Sequence, residues 1–392
     1  MNIKEYLSAR YILMLLINTV AVFVAFNLLV WSYYAIYDVF FDPFSNAVEE
    51  SYKIKIDKYY PGFTQNEIDQ LISETYRSFQ YEPFVQFREN ARNGKYVNVS
   101  EYGFRVSAAQ SKWPPDPQKP VIFVFGGSTT FGYGVRDEDT VVSALSKELR
   151  QNPRYSGAQF YNFGRGFYWS TQENILFTTL LLSGVKPSMA IFIDGINEFY
   201  YSRQSPQFSD TMRIAFNREI ERTGTLSGQF LNLWDSVRGL LLSLPMVQLA
   251  RDIRSKISRQ QQAPTLLPYN PKSVRASIAN YLTNKSIIKK TAELYHIDTL
   301  FVWQPIPTFK YPSHFYKEFA ARFGFGPHSQ SFYGYPQMYK LNETHQDKTF
   351  AWCADVLEGT TTPLFVDLVH YNRRGAGLLS DCIVNAIKSR EK

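Results

Sequence analysis

The stretch Val121-Ile122-Phe123-Val124-Phe125-Gly126-Gly127-Ser128-Thr129-Thr130-Phe131-Gly132 decides the fold. Its continuous apolar run, with no alternation of polar residues, is the pattern of a strand buried on both faces, as in a parallel sheet. The run ends on a glycine pair and then a serine, so Ser128 is expected at the carboxyl edge of the strand, where open α/β sheets put their ligand crevice. Two other readings of the same residues fail. No lysine follows the glycines, and their spacing matches neither the Walker pattern nor the three-glycine dinucleotide fingerprint. Thr130 stands where the G-x-S-x-G nucleophile elbow needs its second glycine, which argues against the α/β-hydrolase fold proper.

A serine hydroxyl is a poor nucleophile until a neighbouring imidazole takes its proton, and the imidazole needs an acid to hold its tautomer and offset its charge. Asp367-Leu368-Val369-His370, just before the last expected helix, supplies both groups three residues apart. Acyl transfer also develops an oxyanion, and a donor fixed there is worth on the order of 3 kcal/mol. Two further apolar strands end in candidate donors. Phe160-Tyr161-Asn162-Phe163-Gly164-Arg165-Gly166 enters a glycine turn that would expose backbone N–H groups, and Ala190-Ile191-Phe192-Ile193-Asp194-Gly195-Ile196-Asn197 ends with a side-chain amide.

With these four blocks in this order, the chain resembles a membrane-anchored bacterial member of the SGNH, or GDSL-type, hydrolase superfamily over about residues 118 to 392. The resemblance implies a three-layer α/β/α sandwich on a parallel five-stranded sheet of flavodoxin-like order 2-1-3-4-5, and no cofactor. Carried over residue by residue, it makes Ser128 the nucleophile and, through its backbone, the first oxyanion donor. The turn at Gly166 supplies the second donor and Asn197 the third, while Asp367 and His370 complete the triad. Three departures stand out. Gly127 replaces the aspartate that often precedes the serine, and Glu198 replaces the aspartate that usually follows the asparagine. The oxyanion glycine usually lies five residues after the asparagine of its block, a place held by Phe167, so Gly166 or Phe167 could serve.

Outside the blocks, Tyr11 to Trp31 is predominantly apolar, and no charged residue falls between Tyr11 and Tyr37. That length crosses a bilayer as one helix, and Trp31, Tyr33 and Tyr34 follow where an interfacial belt would lie, in place of a small-residue cleavage site. Lys4 and Arg10 precede the span and Asp38, Asp42, Glu49 and Glu50 follow it, so the amino terminus is expected in the cytoplasm and the catalytic domain outside, in the periplasm of a bacterium with two membranes. The expected organisation is a cytoplasmic tail over 1–10, an anchor over 11–31, a membrane-proximal region over 32–117 and the SGNH-like domain over 118–392, with insertions at about 200–271 and 307–350. The loop Trp113-Pro114-Pro115-Asp116-Pro117 marks the boundary before the domain. Helices are expected over about 66–79, 138–149, 172–183, 272–295 and 376–388, and the last two strands over 299–303 and 364–366.

The two cysteines, Cys353 and Cys382, flank the Asp367–His370 block; they either pair in an oxidising compartment or stand as free buried thiols. His296, His314, His328 and His345 are scattered without close partners, and no metal site is assigned. A formal charge of +7 carries no basic run longer than a pair of residues, and an exported domain would rarely meet nucleic acid, so none is expected as a partner. The second insertion is crowded with aromatics, from Phe309 and Tyr311 to Tyr335 and Tyr339, which read either as a sugar-stacking platform or as a mini-core of the insertion. The expected function is a serine esterase removing O-acyl, chiefly acetyl, groups from a cell-envelope or exported glycan. An O-acyltransferase working beside a membrane O-acyltransferase, or a non-catalytic subunit of a polysaccharide-export assembly, are the rivals.

Overall fold

The computed structural model describes residues 9–40, 59–76, 79–200, 244–247, 249–250, 253, 266–344 and 347–391. Most of the first insertion lies outside them, as do His345 and the charges Lys4, Asp42, Glu49 and Glu50 that set the expected orientation. The chain divides into two compact units, residues 1–51 with 213–262 and residues 52–212 with 263–392.

In the first unit, α1 (Ala9–Phe40) contains an apolar span, Tyr11–Tyr33, of 23 residues. At 1.5 Å per residue that span is about 34 Å long, enough for a hydrocarbon core of about 30 Å. Two of its polar side chains bond back to the helix: Thr19 Oγ1 donates to the Leu15 carbonyl and Asn27 Nδ2 to that of Phe23. Such pairing is what an apolar surrounding requires of a buried polar group.

The second unit opens with α2 (Gln65–Thr75), started by a capping box between Thr64 and Glu67. Two hairpins follow, β1 (Phe79–Glu82) with β2 (Gln86–Glu89) and β3 (Arg92–Asn93) with β4 (Asn98–Val99). Then come β5 (Val121–Gly126), α3 (Ser128–Phe131), α4 (Val141–Leu149), β6 (Gln159–Gly164), α5 (Ser170–Leu182) and β7 (Met189–Asp194). Beyond the first insertion lie α6 (Pro271–Leu294), β8 (Asp298–Trp303), α7 (Lys317–Phe323), α8 (Ser329–Thr344), β9 (Phe350–Trp352) and α9 (Arg373–Arg390).

Five strands form one parallel sheet in the order β6-β5-β7-β8-β9. Counted from β5 this is 2-1-3-4-5, the flavodoxin-like order expected above. Because successive side chains point to opposite faces, each strand feeds two cores. Ile122, Val124, Ile191, Ile193, Leu300 and Val302 meet α4 and α9 on one side. On the other, Phe163, Phe125, Phe192 and Phe301 stack in a row across four strands, at 5.6, 4.8 and 5.3 Å between ring centroids, beneath α5 and α6.

The fifth strand is not where the apolar run 364–366 suggested. It is β9, three residues long, and 364–366 instead folds back on its own turn: Val366 N donates to the His370 carbonyl at 2.8 Å and Asn372 N to that of Leu364 at 2.9 Å. Nor does the loop Trp113–Pro117 separate compact units, since residues 59–117 belong to the same unit as the sheet. Arg105 shows why. It is fully buried, pairs in the backbone with Asn162 of β6, and spends its guanidinium on the carbonyls of Phe131, Gly132 and Val135 and on Asp137 at 2.7 Å. The aromatics of the second insertion are largely core: Phe309, Tyr335 and Tyr339 pack against Trp303 and Trp352, and Tyr311 against Phe365. Cys353 and Cys382 are disulfide-bonded, tying the loop after β9 to α9.

Candidate active site

Ser128 opens α3, a single turn set directly on the end of β5. A helix start leaves its first N–H groups without intrahelical acceptors, so the Ser128 amide and hydroxyl share one edge of the sheet. The turn is held from two sides. Asn162 donates through Nδ2 to the Thr130 carbonyl and accepts the Gly164 N–H, both at 2.9 Å. Thr129 donates to Gln304 Oε1 at 2.7 Å, at the end of β8. Gln304 Oε1 also accepts from the Tyr371 hydroxyl at 3.1 Å, so one amide joins the serine turn to the residue after His370.

Val366 to Asn372 forms a tight loop whose exit is the N-cap of α9, where Asn372 accepts the Gly375 N–H at 3.0 Å. The loop aims His370 at the serine: Nε2 lies 2.8 Å from Ser128 Oγ, and Nδ1 lies 2.7 Å from Asp367 Oδ2. Asp367 Oδ1 accepts the backbone N–H groups of Val369 and His370, each at 2.8 Å, and Oδ2 also accepts the Tyr76 hydroxyl at 3.2 Å. Burial alone would raise the Asp367 pKa; the imidazole and these hydrogen bonds outweigh it and hold the carboxyl below its ordinary value. Asp367 is thus a carboxylate, the state in which it can orient Nδ1–H and offset charge on the ring.

Among the expected oxyanion donors, Asn197 lies beside the serine turn. Its Nδ2 donates to the Tyr168 carbonyl at 2.8 Å and sits 2.3 Å from where a Cβ at position 127 would be. The absence of a side chain at Gly127 is what lets the amide approach. Gly166 is a correction: its N–H donates to Glu89 Oε1 at 2.7 Å, so that hydrogen is committed away from the serine. Phe167 is the residue of the turn with a left-handed backbone, φ +63°, a conformation that favours glycine. Phe167 is thus the residue of the turn with a glycine-like backbone, beside a Gly166 N–H already committed to Glu89.

Three residues around the site gave no sequence signal. Tyr76 follows α2 and reaches Asp367 across 291 positions; Glu89 ends β2; Tyr133 follows α3 and stacks on His370 at 5.3 Å and 24°. Burial, then the neighbouring Glu89, raises the Tyr133 pKa, which keeps its hydroxyl a donor. His328, at the end of a 3-10 turn in the second insertion, packs against Tyr200 with ring centroids 4.7 Å apart and the planes tilted by 55°. Burial and the nearby His370 push it down to about 3, so it is neutral, and its Nδ1 is enclosed.

Below Asn197 lies a group of buried acids. Glu198, the replacement for the usual aspartate, accepts the Ser170 N–H at 2.8 Å and Oγ at 2.9 Å, and so anchors the start of α5. Burial raises Glu173, Asp194 and Glu198 together, Asp194 to about 7, and their proximity raises Glu173 and Glu198 further.

No family model and no curated protein matches the sequence. Solved structures similar to the chain include Est24, a carbohydrate acetylesterase from Sinorhizobium meliloti, at 11% identity and TM-score 0.36, covering 69% of this chain and 99% of that one. The psychrotrophic esterase EstA from Pseudoalteromonas sp. is 14% identical at TM-score 0.32, covering 69% and 98%. A member of the lipolytic protein G-D-S-L family from Veillonella parvula is 11% identical at TM-score 0.36, covering 68% and 98%. Likenesses this distant leave the chemistry to be argued from the residues in place.

Proposed function

We propose that the chain is a serine ester hydrolase of the SGNH type, working through an acyl-enzyme. The observation that carries this reading is the continuous relay from Ser128 Oγ through His370 to Asp367, at 2.8 and 2.7 Å. In the first step His370 Nε2 takes the hydroxyl proton as Oγ attacks the ester carbonyl, and Asp367 offsets the charge that appears on the ring. The tetrahedral oxyanion is met by the Ser128 and Phe167 amides and the Asn197 side chain. His370 then gives the proton to the departing alcohol, and the acyl group is left on Ser128. Water, deprotonated by the same imidazole, releases the acid.

The finer reading is an extracytoplasmic enzyme, held to the membrane by α1 and removing O-acyl groups from a cell-envelope or exported glycan. The Cys353–Cys382 bridge supports an oxidising compartment, and the Tyr11–Tyr33 span supports the anchor. The test is direct. Wild-type protein should hydrolyse small aryl acetates and be labelled by an activated phosphonate at Ser128, and Ser128→Ala should do neither while keeping its melting temperature. Turnover by Ser128→Ala at the wild-type rate would sink the proposal.

A further inference from the structure

A buried carboxyl outside the triad touches both halves of the machinery. Glu89 is 3% exposed, and a single oxygen, Oε1, accepts the Gly166 N–H at 2.7 Å and the Tyr133 hydroxyl at 3.1 Å. Tyr133 lies face to face with the His370 ring, and Gly166 is the residue immediately before Phe167. The space around this node is closed: a Cβ at Gly166 would meet the Tyr133 hydroxyl at 2.5 Å and Glu89 Oε1 at 3.2 Å. Neither donor can turn to water, so both depend on the same acceptor.

We propose that Glu89 is a positioning residue that sets the general base and the oxyanion turn in one register, through Tyr133 on one side and Gly166 on the other. This rests on the serine-hydrolase reading above. Glu89 touches neither the ester nor the nucleophile. Its carboxyl oxygen is needed here as an acceptor, and burial raises its pKa against the hydrogen bonds that lower it. The conformation at Phe167 gives the contact its purpose. A non-glycine residue held at φ +63° relaxes unless its surroundings fix it, and the Gly166 N–H is the adjacent point at which they do. The membrane-proximal hairpin is therefore a working part of the site.

The experiment compares Glu89→Ala, Glu89→Gln and Tyr133→Phe in the full chain, by aryl acetate kinetics and by the rate of phosphonate labelling. Glutamine keeps an acceptor oxygen at the position, whereas alanine removes it. Glu89→Ala should lower kcat about tenfold or more with KM within about twofold, because the groups it releases act on the transition state. Glu89→Gln should recover most of that loss, and Tyr133→Phe, which leaves the stack and the Gly166 contact, should fall between. If Glu89→Ala folds and keeps its kcat, or if Glu89→Gln is as impaired as alanine, the inference is overturned. Should alanine fail to fold, equal kcat for Tyr133→Phe and wild type would overturn it as well. A wild-type protein that neither turns over the ester nor takes the label would instead overturn the serine-hydrolase reading, so the two failures are distinct.

Discussion

Gly127 offers the sharpest test of the oxyanion geometry, because its replacement should act entirely through another residue. Its backbone is extended, φ −82° and ψ −158°, so alanine brings no conformational penalty there. What alanine brings is a methyl group 2.3 Å from Asn197 Nδ2 and 3.1 Å from the Tyr168 carbonyl. Ordinary contact begins at 3.4 Å, so the amide must withdraw by about 1 Å. A displacement of that size at a transition-state donor costs on the order of a hundredfold in rate. Gly127→Ala is therefore expected to lower kcat on aryl acetates by about two orders of magnitude with little change in KM. Asn197→Ala should lose a similar factor. The double variant decides the matter, since with the amide gone the new methyl keeps only its 3.1 Å contact with the Tyr168 carbonyl. Its kcat should lie within about threefold of Asn197→Ala alone, a strong departure from additivity of the kind expected for residues in contact. Losses that multiply in the double variant, or a Gly127→Ala enzyme at wild-type rate, would refute the reasoning.

Two more outcomes follow from the site. Asp367→Asn should lower kcat by about three to four orders of magnitude, because the amide cannot accept from the Val369, His370 and Tyr76 donors and the imidazole Nδ1–H at once, and the wrong tautomer results; an enzyme retaining most of its activity would end the assignment of Asp367 as the orienting acid. The second outcome concerns stability. Glu173, Asp194 and Glu198 have folded-state pKa values above their unfolded ones, so the folded protein holds protons that the unfolded chain has released, and the stability this gives is lost as pH rises from the ordinary carboxylate range through the folded value, about 7 for Asp194. His328 adds the opposite sign only below its ordinary value of 6.5, where the unfolded chain takes a proton that the folded one refuses. The melting temperature of Asp194→Asn minus that of wild type should therefore rise between about pH 4 and 7 and level off above, because only the wild type loses a bound proton over that interval; a difference that stays constant across it would contradict the burial of this acid.

The parts of this site that could be read from the chain share one trait. Ser128 and Asn197 each close an apolar strand, and Asp367 and His370 keep a spacing that a short loop enforces, so local pattern and function coincide. Tyr76 and Glu89 show no such pattern, since their partners lie 291 and 77 positions away and are met only when the sheet has formed. The fifth strand was misplaced for a related reason. At three residues, β9 is too short for a period of two to register, while Leu364-Phe365-Val366 is apolar because it packs under α9, with its hydrogen bonds turned inward on its own loop. The left-handed turn at Phe167 was unreadable because a phenylalanine in that conformation leaves no mark in a sequence.

Arg105 bears on how this protein can be passed on and rearranged. Modular enzymes exchange domains at seams where few contacts cross, and the proline loop at 113–117 has the composition of such a seam. Yet the guanidinium that terminates the serine turn comes from the far side of it, and recombination there would take this buried donor from the carbonyls of Phe131, Gly132 and Val135. Inheritance must therefore carry the hairpin region and the serine strand as one cassette. An ancestral fusion is to be sought upstream of residue 52, where the second compact unit begins.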